Sequence, residues 1–381
     1  MHSNETSQDA SNDAHADAST NEPTAGALDG VRVLDLSAVV SGPMAAVILA
    51  DQGADVIKIE PPGWGDGVRS LGASRNGLSA IFSLINRNKR SLGINLKHPA
   101  GQKIVKDLAK SADVIVQNYR PGKMARLGLD YESIKAINPN IIYASINGMG
   151  EIGPYAEQKV YDYVIQGLSG VMDSHSSSPL ATHANKLEMV RTIIYDKVTS
   201  LTAAQGITAA LFARERGRGG QHIKLTMLDA AVYFNWPDLM WNHSFIGEDV
   251  QYSGDLADMY EISQASDGAI VSHAMGADCS GYTTAELVDI FAKNEIPVAR
   301  ANRRSEVADD PQVQALGILQ DINHPRGGPM RQPRPPVQFG STPSSLRTHS
   351  PDVGEHTVEI LSELGFSMKE MQKLAQDGAI G

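Results

Sequence analysis

Residues 193–197, Ile-Ile-Tyr-Asp-Lys, set a carboxylate, Asp196, just ahead of a strongly helical stretch that begins at Thr199. A carboxylate in that place has two readings. As an N-cap it accepts hydrogen bonds from the first free N–H groups of the helix. As a catalyst it is held ionised by those same groups and by the helix dipole. An ionised carboxylate beside an activated acyl group is a competent nucleophile. Cations gather at two other places, Asn88-Lys89-Arg90-Ser91 with Lys97, and residues 118–122 with Arg126. They build either a phosphate site or a solvated basic face. Glu60 ends an apolar run where a dinucleotide-binding fold places its ribose-binding acid. The turn before it lacks G-x-G-x-x-G, which argues against a dinucleotide and leaves a strand end with a solvated acid. No histidine has metal-ligand spacing, so no metal is expected, and His222 and His273 read as structural. There is no G-x-S-x-G elbow, and nothing near Cys279 marks a reactive thiol.

These groups need a scaffold, and the apolar pattern supplies one. Residues 31–36 read as a strand, 43–49 as a helix and 55–60 as a second strand, which together make a βαβ unit. Strands at 91–96, 113–117 and 141–146 follow, with a helix opened by Pro99 and a helical turn at 133–137. Such alternation argues a doubly wound α/β domain with a ligand at the carboxyl ends of its strands. Further on, residues 166–190 read as irregular, 199–214 as a helix, 221–226 as a strand and 284–293 as a helix. A short helix spans 356–365.

The chain has 381 residues, enough for two domains, and a net charge of −11, which gives no general attraction to nucleic acid or anionic membranes. No apolar run is long enough to span a bilayer. The single cysteine fits a reducing, cytoplasmic setting. Residues 1–27 are polar and acidic, lack the apolar core of a secretory signal and are expected to form a disordered tail.

The order and spacing of several motifs resemble the class III CoA-transferases, the family of formyl-CoA, carnitine and succinyl-CoA transferases. The likeness runs from Leu28-Asp29-Gly30-Val31-Arg32-Val33-Leu34-Asp35 through residues 53–61 and Asn88-Lys89-Arg90-Ser91. It continues at Asn118-Tyr119-Arg120-Pro121-Gly122, Gly217-Arg218-Gly219-Gly220-Gln221 and Gly354-Glu355-His356-Thr357. The resemblance implies a Rossmann-like large domain (28–226 plus 326–381), a smaller α+β domain (227–325) and an interlocked homodimer. The link at 274–283 is shorter than in the family, so the small domain is expected to be trimmed.

The same resemblance implies transfer of CoA from an acyl-CoA donor to a free carboxylic acid, with Asp196 as the catalyst. Asp196 attacks the donor thioester to give a mixed anhydride, CoA thiolate returns to give an aspartyl-CoA thioester, and CoA passes to the new acid. Backbone N–H groups near the helix start are expected to hold the oxyanions. Matching positions assign CoA contacts to Val39, Val40, Ile94, Lys97 and Arg126, and an acyl pocket to Tyr161 and Asp162. CoA enters as a thioester substrate and no permanently bound cofactor is expected. Related acyl-CoA racemases carry a histidine where Val160-Tyr161-Asp162 has Tyr161, and a tyrosine is a poor base at neutral pH. Racemisation is therefore the alternative, with a non-catalytic CoA-binding dimer as the third possibility.

Overall fold

The computed structural model describes residues 25–174, 187–273 and 275–381. The tail expected over residues 1–27 lies almost wholly outside them. Six strands form one parallel sheet: β1 (Arg32–Asp35), β2 (Asp55–Glu60), β3 (Lys89–Gly93), β4 (Val114–Gln117), β5 (Ile142–Asn147) and β6 (Gln221–Thr226). Their spatial order is 3-2-1-4-5-6. The order reverses between β1 and β4, and the carboxyl ends of those strands open the crevice where such folds bind ligands.

The strands are buried on both faces, which is why they read as nearly continuous apolar runs. On one face Val33, Val56, Val114 and Ile142 pack against two alanine-rich helices, Ser41–Asp51 and Ile194–Ala213. Small side chains let these helices lie close to the sheet and to each other. On the other face Leu34, Ile57, Leu92 and Ile115 meet Ile104, Val105 and Leu108 of the Pro99–Ala109 helix. Ile360, Leu361 and Met371, from helices Thr357–Glu363 and Met368–Gln376, complete that layer.

The C-terminal segment also covers the β3 edge. Gly93 donates its N–H to Thr357 Oγ1 at 3.1 Å, His356 donates its N–H to the Ser91 carbonyl at 3.0 Å, and Ile380 pairs with Ile94. An edge strand covered in this way offers no template to another chain. Between β6 and this return lie the Met227–Asn235 helix and an antiparallel sheet of Glu261–Gln264, Ala269–Ser272 and Val298–Arg300. Helix Thr284–Lys293 and a hairpin of Leu319–His324 with Gly328–Pro333 follow. Cys279 is buried with Ile270 and Leu287 in the small core of that antiparallel layer.

Three boundaries differ from the sequence pattern. β3 starts at Lys89 rather than residue 91, because the lysine is neutralised beneath the sheet. The long helix starts at Ile194 rather than Thr199, so Asp196 sits inside its first turn. The stretch from residue 166, read as irregular, includes the end of a helix, Asp162–Leu168. A helix over Ala80–Asn86, capped by Ser79, was not legible at all. Among the described residues no helix is long and apolar enough to cross a membrane, and no cluster of His, Cys, Asp or Glu is placed to hold a metal.

Candidate active site

The floor of the crevice is the turn after β1, residues 36–40. Val39 lies there with φ 69°, a left-handed conformation that a β-branched residue avoids unless its surroundings impose it. Two side chains impose it. Asn118, just past β4, accepts the Ala38 N–H at 2.8 Å and donates Nδ2 to the Ala38 carbonyl at 2.7 Å. Asp66 accepts the Val39 N–H at 3.1 Å.

Asp66 is held in turn by Lys58 Nζ at 2.9 Å, with both side chains buried. Beside them Lys89 Nζ donates to Asp35 at 2.8 Å, to the Pro43 carbonyl at 2.8 Å and to Asn86 at 2.9 Å. Burial alone raises the Asp35 pKa, but the ammonium groups of Lys89 and Lys58 outweigh it and hold the carboxyl below its ordinary range. Glu60 is buried as well, pairing with Arg69 at 2.6 Å and accepting from Ser91 Oγ at 2.6 Å. It is therefore neither a ribose ligand nor a solvated acid. The basic run at 88–91 is likewise neither a phosphate site nor a solvated face. Lys89 is interior, and Arg90 pairs with Asp55, Glu359 and Glu363.

Asp196 looks into a cavity of about 190 Å³ above this floor, whose lining includes Val39, Ser41, Asn118, Tyr161 and Met227. Its helix has no side-chain cap of its own at Ile193. Asp162 supplies one from a distant segment: its Oδ2 accepts the N–H of Tyr195 at 2.7 Å and of Asp196 at 3.2 Å. Gln166 steadies its other oxygen at 2.6 Å. Asp162 is buried and does not line the cavity, unlike the pocket position expected for it. Tyr161 does line it. The two N–H groups bonded to Asp162 are committed, so the oxyanion role expected at the helix start does not fall to them.

The Asp196 carboxyl is not held down by the helix start. Burial first, and the Asp162 charge second, push its pKa up to about 6, and Ser41 partly offsets both. It is ionised at neutral pH yet close to its titration range.

A larger cavity, of about 580 Å³, adjoins the first. Ala38 and Tyr119 border both. The larger space is lined by Ile59, Trp64, Ile94, Lys97 and Lys123 among others. Of the expected CoA contacts, Val39 lines the smaller cavity, while Ile94 and Lys97 line the larger. Val40 is buried and lines neither, because it precedes the Ser41–Asp51 helix and turns inward. Arg126 also lines neither, but it belongs to an exposed cluster with Lys97, Arg120 and Lys123. Partial burial, then Lys97, Arg126 and Arg120, lower the Lys123 pKa. Among the described residues none of the four is in an ion pair. Lys123, whose Nζ lies 4.1 Å from the Tyr119 ring centroid, was missed from sequence. Its one signal was its place three residues before Arg126 on the Lys123–Arg126 turn.

The model of one protein family, CoA-transferase family III, matches residues 28–278 and 254–357. The chain is 32% identical to the succinate–glutarate CoA-transferase of Agrobacterium fabrum, over 88% of this chain and 95% of that one. It is 31% identical to a formyl-CoA:oxalate CoA-transferase of Rhodopseudomonas palustris, over 93% and 97% of the two chains. Among solved structures it is similar to a CaiB/BaiF family protein from Brucella suis, with a TM-score of 0.76 and 29% identity over 89% of this chain and 100% of the other.

Proposed function

This chain belongs to CoA-transferase family III and is a CoA-transferase, and from that premise we propose that Asp196 carries the transferred group covalently. One observation carries the assignment: Asp196 lines a small cavity that adjoins a groove lined by Lys97 and Lys123, neither in an ion pair among the described residues. The groove suits the phosphates and adenine of a CoA thioester, with Lys97 and Lys123 toward phosphate and Trp64 offering an aromatic face. CoA enters as substrate.

The steps follow from the chemistry of carboxylates. An Asp196 oxygen attacks the thioester carbonyl carbon. The C–S bond breaks, and the thiolate leaves with the electron pair, giving a mixed anhydride. The thiolate then attacks the Asp196 carboxyl carbon and expels the donor acid as its carboxylate, leaving an aspartyl-CoA thioester. The acceptor carboxylate attacks that carbon and releases the thiolate to form a second anhydride. Attack of the thiolate on the new acyl carbon yields the new acyl-CoA and restores Asp196. No net proton is needed, so the one protonic requirement is an ionised Asp196.

The rigid floor contributes by holding the attacked carbon near Asp196 rather than by moving a proton. We place the enzyme in the cytoplasm as a homodimer. Leu201 and Phe212 on the long helix, with Tyr233 and Phe234 on the next, leave apolar surface for a second copy.

The test is mass spectrometry of the protein mixed with acyl-CoA and treated with hydroxylamine. A hydroxamate at Asp196, with transfer lost in Asp196→Ala, is the expected result. Retained transfer in Asp196→Ala would refute the assignment.

A further inference from the structure

The wall of the Asp196 cavity bears on which acids reach the carboxylate. Its apolar side is made by Ala38, Val39, Ile146, Val160 and Met227. Ser41, Asn118, Tyr119, Asn147 and Tyr161 supply polar groups beside them, and some of these are committed. Both atoms of the Asn118 amide are bonded to Ala38, at 2.8 and 2.7 Å, and Asn147 Oδ1 accepts the Gly150 N–H at 2.6 Å. Among the described residues, no side chain lining this cavity is cationic. Lys159 lies 5.1 Å from the ring of Tyr161, a wall residue, and is itself outside the lining. The charges at this place are negative: Asp196 itself, with Asp162 bonded to its backbone at 3.2 Å.

An acid that reacts here must bring one carboxyl to Asp196 and lay the rest of its chain along that wall. A monocarboxylic acid lays down methylene and methyl groups, which the wall accepts. A dicarboxylic acid carries a second full negative charge into the same space. Among the described residues no cationic side chain lines the cavity to meet it, and two carboxylates repel it in a medium where charges are poorly screened. The relatives' names print acids of that second kind, succinate, glutarate and oxalate, and also the formyl group of a monocarboxylic acid.

We propose that this enzyme moves CoA between short monocarboxylic acids and discriminates against dicarboxylic acids of the same length, because the Asp196 cavity has an apolar wall and, among the described residues, no cationic side chain lining it. The proposal rests on Asp196 being the covalent carrier.

The full-length protein is given acetyl-CoA with mixed acids in competition, propionate, butyrate and valerate against malonate, succinate and glutarate. The acyl-CoA products are measured by mass spectrometry. Monocarboxylic acceptors are expected to win by about tenfold or more in kcat/KM over diacids of equal chain length. A Val160→Lys variant, which sets a cation on the wall, is expected to narrow that ratio at least several-fold. Diacids used as well as or better than monoacids by the unaltered protein overturn this inference alone and leave the covalent role of Asp196 standing. Transfer to neither class, with no adduct on Asp196, overturns both.

Discussion

The Asp162 carboxylate caps the helix turn that carries Asp196, accepting the Asp196 N–H at 3.2 Å and the preceding Tyr195 N–H at 2.7 Å. One acid therefore fixes the position of the other and also raises its pKa. Capping, one of the two roles the sequence offers Asp196, falls to Asp162 in the structure, and the proposed catalysis is left to Asp196. Asp196 itself lines the cavity beside Ser41.

Because attack needs the ionised form, transfer should rise with pH to a plateau, with a midpoint near 6 set first by burial and then by Asp162. Asp162→Asn keeps an oxygen for the helix N–H groups and removes the charge. Its midpoint should fall below 6 and, since burial persists, stay above the ordinary carboxylate value of 3.8. A pH–rate profile of kcat/KM with saturating acceptor checks this, and an unmoved midpoint would show that the Asp162 charge does not reach Asp196.

Asp196→Asn should lose at least about 10⁴-fold in transfer rate and yet stabilise the fold at pH 7. The folded pKa lies above the unfolded one, so the folded state binds the proton more tightly. Wild-type stability therefore falls as pH rises from about 4 to about 6 and stays reduced above that range. The amide avoids the loss, which is worth up to about 3 kcal/mol at 1.36 kcal/mol per unit. Urea unfolding at pH 7 and pH 4 should show the variant's advantage only at the higher pH.

Lys123→Ala should raise the KM for acyl-CoA about tenfold at low salt, equivalent to about 1.4 kcal/mol, with kcat little changed. In the proposed binding mode the cluster meets the phosphates, which take no part in bond making. The difference should shrink as salt screens the exposed charges. Steady-state kinetics at two ionic strengths decide it, and a fall in kcat at constant KM would place Lys123 elsewhere.

Lys89→Met should cost about 3–5 kcal/mol of stability, because it strands the Asp35 carboxylate in the interior. Pairing it with Asp35→Leu should recover much of that loss. Denaturant melts of the single and double variants measure the coupling.

Much of this molecule is legible in the chain because doubly buried parallel strands announce themselves. β1, β2, β4, β5 and β6 stand where apolar runs meet turn residues, and Pro99 opens its helix as the pattern indicates. Illegibility begins where a charged residue is satisfied by something remote. Lys89 reads as a surface residue because its partner Asp35 is 54 positions away. Ile194 and Tyr195 read as lying ahead of the helix because the acid that caps it is 33 positions before Tyr195. The place of Asp196 was legible through motif order, whereas its raised pKa depends on burial and on Asp162, which sequence spacing does not reveal. The cation cluster was half legible: Lys97 and Arg126 stood out, while Lys123 took its importance from the fold of the 118–126 segment.

The clasp between Asn118 and Ala38, with Asp66 under Val39, has a practical bearing on redesign. One jaw of the Asp196 cavity is bolted to the sheet and tolerates little reshaping. The other, carrying Val160 and Tyr161 on the segment before the Asp162–Leu168 helix, is joined to the framework by ordinary packing. Libraries meant to retarget the enzyme to new carboxylic acids belong on that second jaw, while residues 37–40 are best left as they are.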